Sequence, residues 1–205
     1  MALKKSIKST EINVDSAARS CDDVAADLAS SDSATRRWAA RDIVRCQEAA
    51  SLLLQQLRKE ADDSVRQVIL TSLTQLGNTN AVEGLVDCLR SDDAGLRNDA
   101  IEAMKQLPEE VAPIMASLLK DADPDVRIFA VNILESLCHP DVEQWLIDVI
   151  ESDAHVNVCA TSVDLLGEVG SEKSTEALAN LKHRFVDEPY IQFAAELAIK
   201  RIDGS

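Results

Sequence analysis

The chain has 205 residues, of which 46% are hydrophobic and only 3% aromatic, and its formal net charge is −15. This composition suits helices that pack through aliphatic side chains better than the core of a β-sheet. The charge is uneven, with a net +1 on residues 1–60 and a net −16 on residues 61–205, and so large an acidic part argues against a nucleic-acid-binding protein.

Residues 1–12 are polar and are predicted to form a flexible tail, followed by one helical domain over residues 13–205. In that domain apolar residues recur at steps of three and four, which is the pattern of amphipathic helices. The predicted helices come in pairs. The first helix of each pair is placed near Val14–Ala29, Glu48–Lys59, Ala81–Arg90, Glu109–Lys120, Asp141–Glu151 and Glu172–Phe185. The second helix is placed near Ser33–Cys46, Ser64–Leu76, Ala94–Leu107, Pro124–Leu137, Ala154–Glu168 and Pro189–Ile202.

A short motif opens every predicted second helix. It consists of an acid, two residues, an apolar residue, Arg, two residues and Ala, and its clearest copy runs from Asp123 to Ala130. The apolar position of the motif, called the apolar slot below, falls at Thr35, Val65, Leu96, Val126, Val156 and Ile191. A repeat of about 30 residues is typical of a solenoid, in which each structural unit packs on its neighbours.

The acid of the motif is expected to cap the helix, because it can accept hydrogen bonds from the free amides of the first turn. The Arg four residues later shares a helix face with the acid, so the two are expected to pair. The predicted capping and pairing residues are Asp32, Arg36, Asp62, Arg66, Asp93, Arg97, Asp123 and Arg127.

The last two repeats depart from the motif. Asn157 and Gln192 replace the Arg, so the pairing should weaken there. Asp164 falls where earlier repeats have Leu or Met, which leaves open either the register of this helix or the burial of that position.

The motif acid-x-x-Val-Arg-x-x-Ala, with an apolar helix before it, resembles the HEAT repeats in their short, phycobilisome-lyase-like bacterial form. The resemblance covers about residues 15–203. It implies an all-α, armadillo-like fold, a right-handed α-solenoid of about six helix pairs. It says little about function, because such repeats serve unrelated roles.

In this family the second helices line a concave face, so the residues two and six positions beyond the apolar slot are predicted to contact a partner. The predicted partner-binding residues are Arg37, Arg41, Gln67, Asn98, Ile128, Asn132, Val158, Ser162, Phe193 and Leu197. If these residues are exposed, the face turns from polar to apolar toward the C-terminus, which is typical of a protein-binding surface. A small rotation of each helix would instead bury Ile128, Val158 and Phe193, and the pattern leaves both arrangements open. Trp38 and Phe129 are expected in the core.

Two pairs of metal-binding residue types occur close together in the sequence. Cys138 and His139 end one predicted second helix, whereas His155 and Cys159 open the next. These helices run parallel, so the two pairs should lie about 20 Å apart, which is too far for one zinc ion. No nucleophile elbow, zinc-protease or nucleotide-binding motif occurs. No metal, cofactor or catalytic residue is therefore predicted.

Apolar segments and cysteines indicate the cellular compartment of the protein. No stretch approaches the ~18 apolar residues of a membrane span, and the first residues lack the apolar segment of a secretory signal. The five cysteines are odd in number and lack the spacing of a disulfide framework. They are predicted to be reduced thiols in the helices of a cytoplasmic protein.

The leading hypothesis is a non-enzymatic, bacterial scaffold or adaptor that binds a protein partner on its concave face in signalling or complex assembly. The partner is expected to be basic or to carry an apolar segment, and neither nucleic acid nor membrane is expected to bind; the oligomeric state stays open. The acidic surface has a second explanation, namely that it keeps an open solenoid in solution. An alternative implied by the resemblance is a subunit similar to the bilin lyases that act on phycobiliproteins. A DNA-repair HEAT protein would need a basic groove, which the charge of residues 61–205 opposes.

Overall fold

A computed structural model describes residues 19–204, and the predicted tail lies outside this range. The described chain is all-helical, as predicted, with twelve α-helices in six consecutive pairs, or repeats, and no strand. The first helices are α1 (Cys21–Leu28), α3 (Ala49–Leu57), α5 (Thr79–Cys88), α7 (Pro108–Leu118), α9 (Val142–Ser152) and α11 (Glu172–Arg184). The second helices are α2 (Ser33–Asp42, extended by a 3-10 helix over Ile43–Arg45), α4 (Asp63–Leu76), α6 (Ala94–Lys105), α8 (Pro124–Leu134), α10 (Val156–Val169) and α12 (Pro189–Asp203). None of the helices described is long and apolar enough to cross a membrane.

One continuous cluster of buried apolar side chains extends from Val24 in α1 to Ile202 in α12. The second helices contact each other in sequence along the whole stack, and each also packs on the first helix of its repeat. The residue four positions beyond the apolar slot is fully buried in five repeats. These residues are Ala39, Ile69, Ala100, Ala130 and Ala195. Four of the five are Ala, which is small enough to let a neighbouring helix approach closely.

Acids define the starts of four second helices. The carboxylate of Asp32 accepts a hydrogen bond of 2.8 Å from the amide of Thr35. Asp62, Asp93 and Asp123 each accept one from the amide two residues further on, at 2.9, 2.8 and 2.9 Å. These bonds satisfy amides that have no partner inside the helix.

One glycine and one proline occupy different kinds of position in the helices. Gly77 ends α4 in the left-handed conformation, with φ of 53°, which glycine adopts without steric cost. Pro113 lies inside α7, which begins at Pro108, so Pro113 does not mark the start of the helix.

The register of repeat five differs from the predicted one by two residues. Val158, Ser162 and Leu166 are fully buried, whereas the predicted core positions Val156 and Ala160 are only half-buried. The apolar slot of this repeat is therefore Val158. The prediction that Val158 and Ser162 contact a partner is wrong, because both side chains lie in the core.

A second periodic contact explains the shift. Two positions before each of the first five second-helix caps, a side chain accepts a hydrogen bond from the amide of the cap residue. We call these acceptors the pre-cap residues: Ser30, Glu60, Ser91, Asp121 and Asp153, with bonds of 3.2, 3.0, 3.1, 2.9 and 2.8 Å. Asp153 therefore corresponds to Asp121 and not to the cap acid Asp123. The cap of α10 is His155, and the helix starts two residues later than predicted.

The arginines of the motif do not pair with the acid of their own repeat. Each donates instead to the backbone carbonyl of the pre-cap residue six positions earlier. This arginine row consists of Arg36, Arg66, Arg97 and Arg127, with bonds of 2.9, 3.1, 2.6 and 2.8 Å. The predicted pairing over four residues is therefore wrong, because first-turn amides already occupy the cap carboxylates.

Two members of the arginine row also bind the pre-cap acid of the next repeat with two hydrogen bonds each. Arg36 donates to Glu60 at 2.8 and 2.8 Å, and Arg127 donates to Asp153 at 2.6 and 3.0 Å. Burial alone would raise the pKa of Glu60, whose side chain is 2% exposed, but hydrogen bonds from Arg36 and other donors lower it to about 2. The row thus connects neighbouring repeats through nearly buried ion pairs.

The other two members make weaker links to the next repeat. Arg66 donates to Asp93 at 3.3 Å, and the guanidinium of Arg97 lies 5.8 Å from the ring centre of Phe129.

In repeat five the arginine position is held by Cys159, whose thiol donates to the carbonyl of Asp153 at 3.3 Å. A guanidinium reaches the same turn from another helix. Arg184 of α11 donates to the carbonyl of Glu151 at 2.8 Å, and also to those of Ile150 and Asp153. The backbone of this turn is therefore satisfied without an arginine on α10.

In repeat six Gln192 takes the arginine position. Its side-chain amide donates to the carbonyls of Lys182 and Phe185, at 2.7 and 3.0 Å. It therefore satisfies the end of α11.

The cysteines differ from the prediction of five reduced thiols. Cys21 and Cys46 form a disulfide, with their Cα atoms 5.9 Å apart, because the pairing of α1 with α2 brings the two ends together. Cys88, Cys138 and Cys159 are free. Burial raises the pKa of Cys88 and of Cys159 to about 11, so these two thiols are protonated at neutral pH, while Cys138 is exposed.

Candidate functional site

The candidate site is the side of the second helices that is not packed against the core. It comprises the positions two and six residues beyond the apolar slot. We call this surface the second-helix face. In the observed register its members are Arg37, Arg41, Gln67, Thr71, Asn98, Glu102, Ile128, Asn132, Ala160, Asp164, Phe193 and Leu197.

Most of the predicted partner-binding residues lie on this face at or near the surface. The exposed ones are Arg37, Arg41, Gln67, Asn98, Phe193 and Leu197. Ile128 and Asn132 are half-buried. Ala160 and Asp164 occupy the positions that had been assigned to Val158 and Ser162.

At the N-terminal end a groove of about 450 Å³ lies between α2 and α4, with Arg37, Trp38 and Arg41 among its lining residues. Trp38 is 59% exposed, so the expectation of a core position is wrong for it. Phe129, one position beyond the face in repeat four, is half-buried and packs against the core.

The middle of the second-helix face is acidic. Glu135, Asp164 and Glu168 line a groove of about 180 Å³ between α8 and α10. Asp164 accepts a hydrogen bond of 2.8 Å from the hydroxyl of Tyr190, and this bond raises the pKa of Tyr190. Sequence reasoning missed this cluster because the shifted register hid the position of Asp164.

The C-terminal end of the face is apolar. Tyr190, Phe193 and Leu197 are 54%, 65% and 37% exposed, and their spacing of three and four residues places them in one stripe along α12. The opposite side of α12 is buried in the core. Contiguous exposed apolar side chains of this kind mark interaction sites.

The two Cys–His pairs raised by the sequence make separate contacts. The ring of His139 stacks on Trp145 at 4.9 Å, whereas Cys159 bonds to the backbone before α10. Among residues 19–204, no three His, Cys, Asp or Glu side chains are arranged to hold one metal ion.

Comparisons with solved structures find helical repeat proteins. The TOG3 domain of Mini spindles from Drosophila melanogaster matches with a TM-score of 0.55 and 14% identity, over 90% of this chain and 95% of that chain. An archaeal HEAT-like repeat protein from Thermococcus onnurineus matches with a TM-score of 0.44 and 16% identity, over 90% and 87%. The CpcE–CpcF complex of phycocyanin lyase from Nostoc sp. matches with a TM-score of 0.38 and 18% identity, over 100% and 99%. At such identities a likeness shows the fold alone.

No curated protein gives a significant sequence match. The family model for HEAT repeats matches residues 21–105 and 111–200, which together are most of the chain. The match agrees with the six helix pairs and with the repeating acid and arginine contacts at their junctions. The chain therefore belongs to the HEAT-repeat family.

Proposed function

We propose that this protein is a non-catalytic scaffold that binds a partner protein along the second-helix face. The partner presents a segment in which basic residues are followed by a large apolar residue. The basic residues lie against the acidic middle of the face, and the apolar residue packs on α12. The partner belongs to a bacterial signalling or assembly complex.

Charge supports this class of partner. The part of the chain that contains the acidic groove carries a net −16, and a surface of one sign attracts the opposite sign and speeds association. Glu168 is exposed there, which leaves it accessible to a ligand, and the exposed Glu135 accepts a hydrogen bond of 3.1 Å from Lys105.

The packing of the two helix layers favours the second helices as the inner wall of the solenoid. Second helices contact each other along the whole row. In the first-helix layer α1 makes at most marginal contact with α3, and α7 with α9. The more closely packed layer of a curved stack is its inner layer, and an inner wall can surround an extended segment.

The single observation that carries the proposal is the exposure of Phe193 at 65%, beside Tyr190 and Leu197 and next to the acidic groove. Large aromatic side chains supply most of the binding energy where they become covered. A segment with Lys or Arg and then Leu or Phe would match both parts of the surface.

The test is affinity purification from lysate of the source cell with three forms of the protein. These are the wild type, the double variant Phe193→Ser, Leu197→Ser, and the control Val169→Ser, which removes an exposed apolar side chain outside the second-helix face. We expect a protein that the wild type and the control retain, that the double variant loses, and whose binding weakens as salt rises.

Identical captured proteins with all three forms would contradict the proposal. The retained protein must also yield a basic and apolar segment that binds as a synthetic peptide. A change in the absorbance spectrum of an added bilin would favour the lyase alternative instead.

A further inference from the structure

We propose that the groove between α2 and α4 is a separate binding site for an acidic peptide segment. The guanidinium groups of Arg37 and Arg41 bind carboxylates of the segment, and Trp38 packs against one of its apolar side chains. This site lies at the opposite end of the second-helix face from α12 and takes a ligand of the opposite charge.

The first observation concerns the partners of the two arginines. Six other arginines between residues 19 and 204 lie within 4.0 Å of a carboxylate oxygen: Arg19, Arg36, Arg58, Arg66, Arg90 and Arg127. Arg45, Arg97 and Arg184 donate to backbone carbonyls instead. Neither Arg37 nor Arg41 has such a carboxylate among the described residues. Arg37 donates only to the hydroxyl of Ser64 at 3.3 Å, and Arg41 lies 5.4 Å from the ring centre of Trp38.

The second observation is their spacing. Arg37 and Arg41 are four residues apart on α2, so two like charges share one helix face, which is unfavourable in the absence of an anion. They belong to residues 1–60, which carry a net +1 in a chain whose remainder carries −16. An acidic ligand would relieve the repulsion and would be attracted to this end of the molecule alone.

The third observation is the shape of the groove. Its volume of about 450 Å³ lies in the range of ligand sites. Val68 and the buried Ser72 belong to the lining, and Thr71 and Gln75 add polar groups. The indole of Trp38 is 59% exposed beside the Arg41 guanidinium, and a cation held at an aromatic ring is partly pre-organised for an anion.

These features favour a peptide over other anions. A free phosphate would leave the indole of Trp38 uncovered. A nucleic acid would extend from this groove toward the acidic middle of the second-helix face and be repelled there. A short segment with two carboxylates and one apolar side chain fits the two guanidinium groups and the indole together.

The experiment uses tryptophan fluorescence. The chain has two tryptophans, so in the full-length Trp145→Phe variant Trp38 is the sole reporter. The probe is a capped heptapeptide of alternating glutamate and leucine, and its glutamine analogue is the neutral control. We expect a saturable change in Trp38 emission with the glutamate peptide alone, weakening as salt rises.

Variants assign the contact to the groove. Arg37→Gln and Arg41→Gln should each weaken binding about tenfold, because each removes a charge-assisted hydrogen bond. Arg58→Gln removes the same charge from α3, outside the groove, and should leave binding unchanged. Circular dichroism of each variant checks that it is folded.

Three results with the peptides would overturn the proposal. They are equal binding of the glutamine peptide, an equal loss in the Arg58→Gln variant, and the absence of a saturable change up to millimolar peptide. Inorganic phosphate that competes as strongly as the peptide would also overturn it, because the site would then recognise a bare anion. Since the probe and the variants differ from those that test binding at α12, either proposal can fail alone.

Discussion

In repeats one to four an arginine of each second helix donates to the backbone of the turn that precedes the helix, whereas repeats five and six have Cys159 and Gln192 at that position. In repeat five the guanidinium arrives instead from Arg184, on the first helix of the next repeat. The fixed requirement is therefore a donor for the carbonyls of the turn. The helix that supplies the donor can change.

The two ends also differ in how repeats are joined. Arg36 and Glu60 form a nearly buried ion pair between repeats one and two, and a disulfide adds a covalent link within the same region. Between repeats five and six Arg184 instead donates to backbone carbonyls, and Tyr190 donates to Asp164. Substitutions at these positions should therefore separate the contributions of charge, covalent linkage and backbone bonding.

The largest effect is expected for Glu60→Gln. It leaves the Arg36 guanidinium nearly buried without its charge partner, which should lower the free energy of unfolding by about 3 kcal/mol. Urea denaturation of the wild type and the variant measures this difference in the free energy of unfolding. The control is Asp87→Asn at the exposed Arg58–Asp87 pair, where the loss should stay below about 1 kcal/mol.

The Arg36–Glu60 pair should also make the stability of the protein depend on pH in the acid range. The pKa of Glu60 is lowered from 4.5 to about 2 in the folded protein, so its stabilising effect is full above pH 4.5 and is lost as the pH falls toward 2. The stability difference between wild type and Glu60→Gln should shrink over this range. A difference that stays constant down to pH 2 would show that Glu60 is not held as a carboxylate by Arg36.

The disulfide should contribute about 3 kcal/mol, because it closes a loop of 25 residues in the unfolded chain. Cys21→Ser with Cys46→Ser should lower the urea midpoint, and reduction should do the same. A thiol reagent should titrate one fast thiol in the native protein, Cys138, and three after unfolding without reductant. Five thiols in the unfolded protein would restore the prediction of fully reduced cysteines.

Arg184→Ala removes the donor to the carbonyls of Ile150, Glu151 and Asp153, and the expected loss is about 1–2 kcal/mol. The neighbouring substitution His183→Ala is the control and should change stability by less than about 0.5 kcal/mol. Equal effects of the two substitutions would mean that Arg184 does not replace the missing arginine of repeat five.

The smallest changes in stability are expected for alanine substitutions at two glycines, one in each half of the chain. Gly77→Ala forces a side chain into the left-handed region and should cost about 1 kcal/mol. Gly167→Ala, inside α10, meets only ordinary contacts at 3.5 Å and should gain about 0.5–1 kcal/mol through helix propensity. Thermal unfolding of the two variants should therefore shift in opposite directions.

The sequence was sufficient to predict the helix pairs because the apolar period and the motif act locally, within one helix or one turn. The cap acids could be predicted for the same reason, since each carboxylate binds amides two or three residues away. The partners of the arginines could not, because they lie on the next repeat or on the turn before the helix. Sequence spacing along one helix does not report these contacts.

The correct register of repeat five could have been predicted from the sequence. Asp121-Ala122 before the cap of α8 is matched by Asp153-Ala154 before the cap of α10. That alignment gives His155 as the cap, Val158 as the apolar slot and Cys159 as the arginine position. With Asp153 as the cap acid, the predicted site residues of repeat five are displaced by two positions.

Where the register held, the structure exposes Arg37, Gln67, Asn98, Phe193 and Leu197, and their contact with a partner stays a prediction. The exposure of Trp38 was missed because an aromatic residue on an amphipathic helix is usually buried. Its exposure depends on the groove between α2 and α4, which no local pattern encodes.

The arginine row has a consequence for how such a protein can be shortened or recombined. Each guanidinium completes the turn before its own helix, and in two cases it also neutralises an acid of the following repeat. A cut between repeats one and two would therefore leave Arg36 on one fragment and Glu60 on the other, each without its charge partner. A repeat transferred to another protein should therefore carry with it the pre-cap acid of the following repeat. Without that acid, the new junction between repeats would contain an unpaired charge.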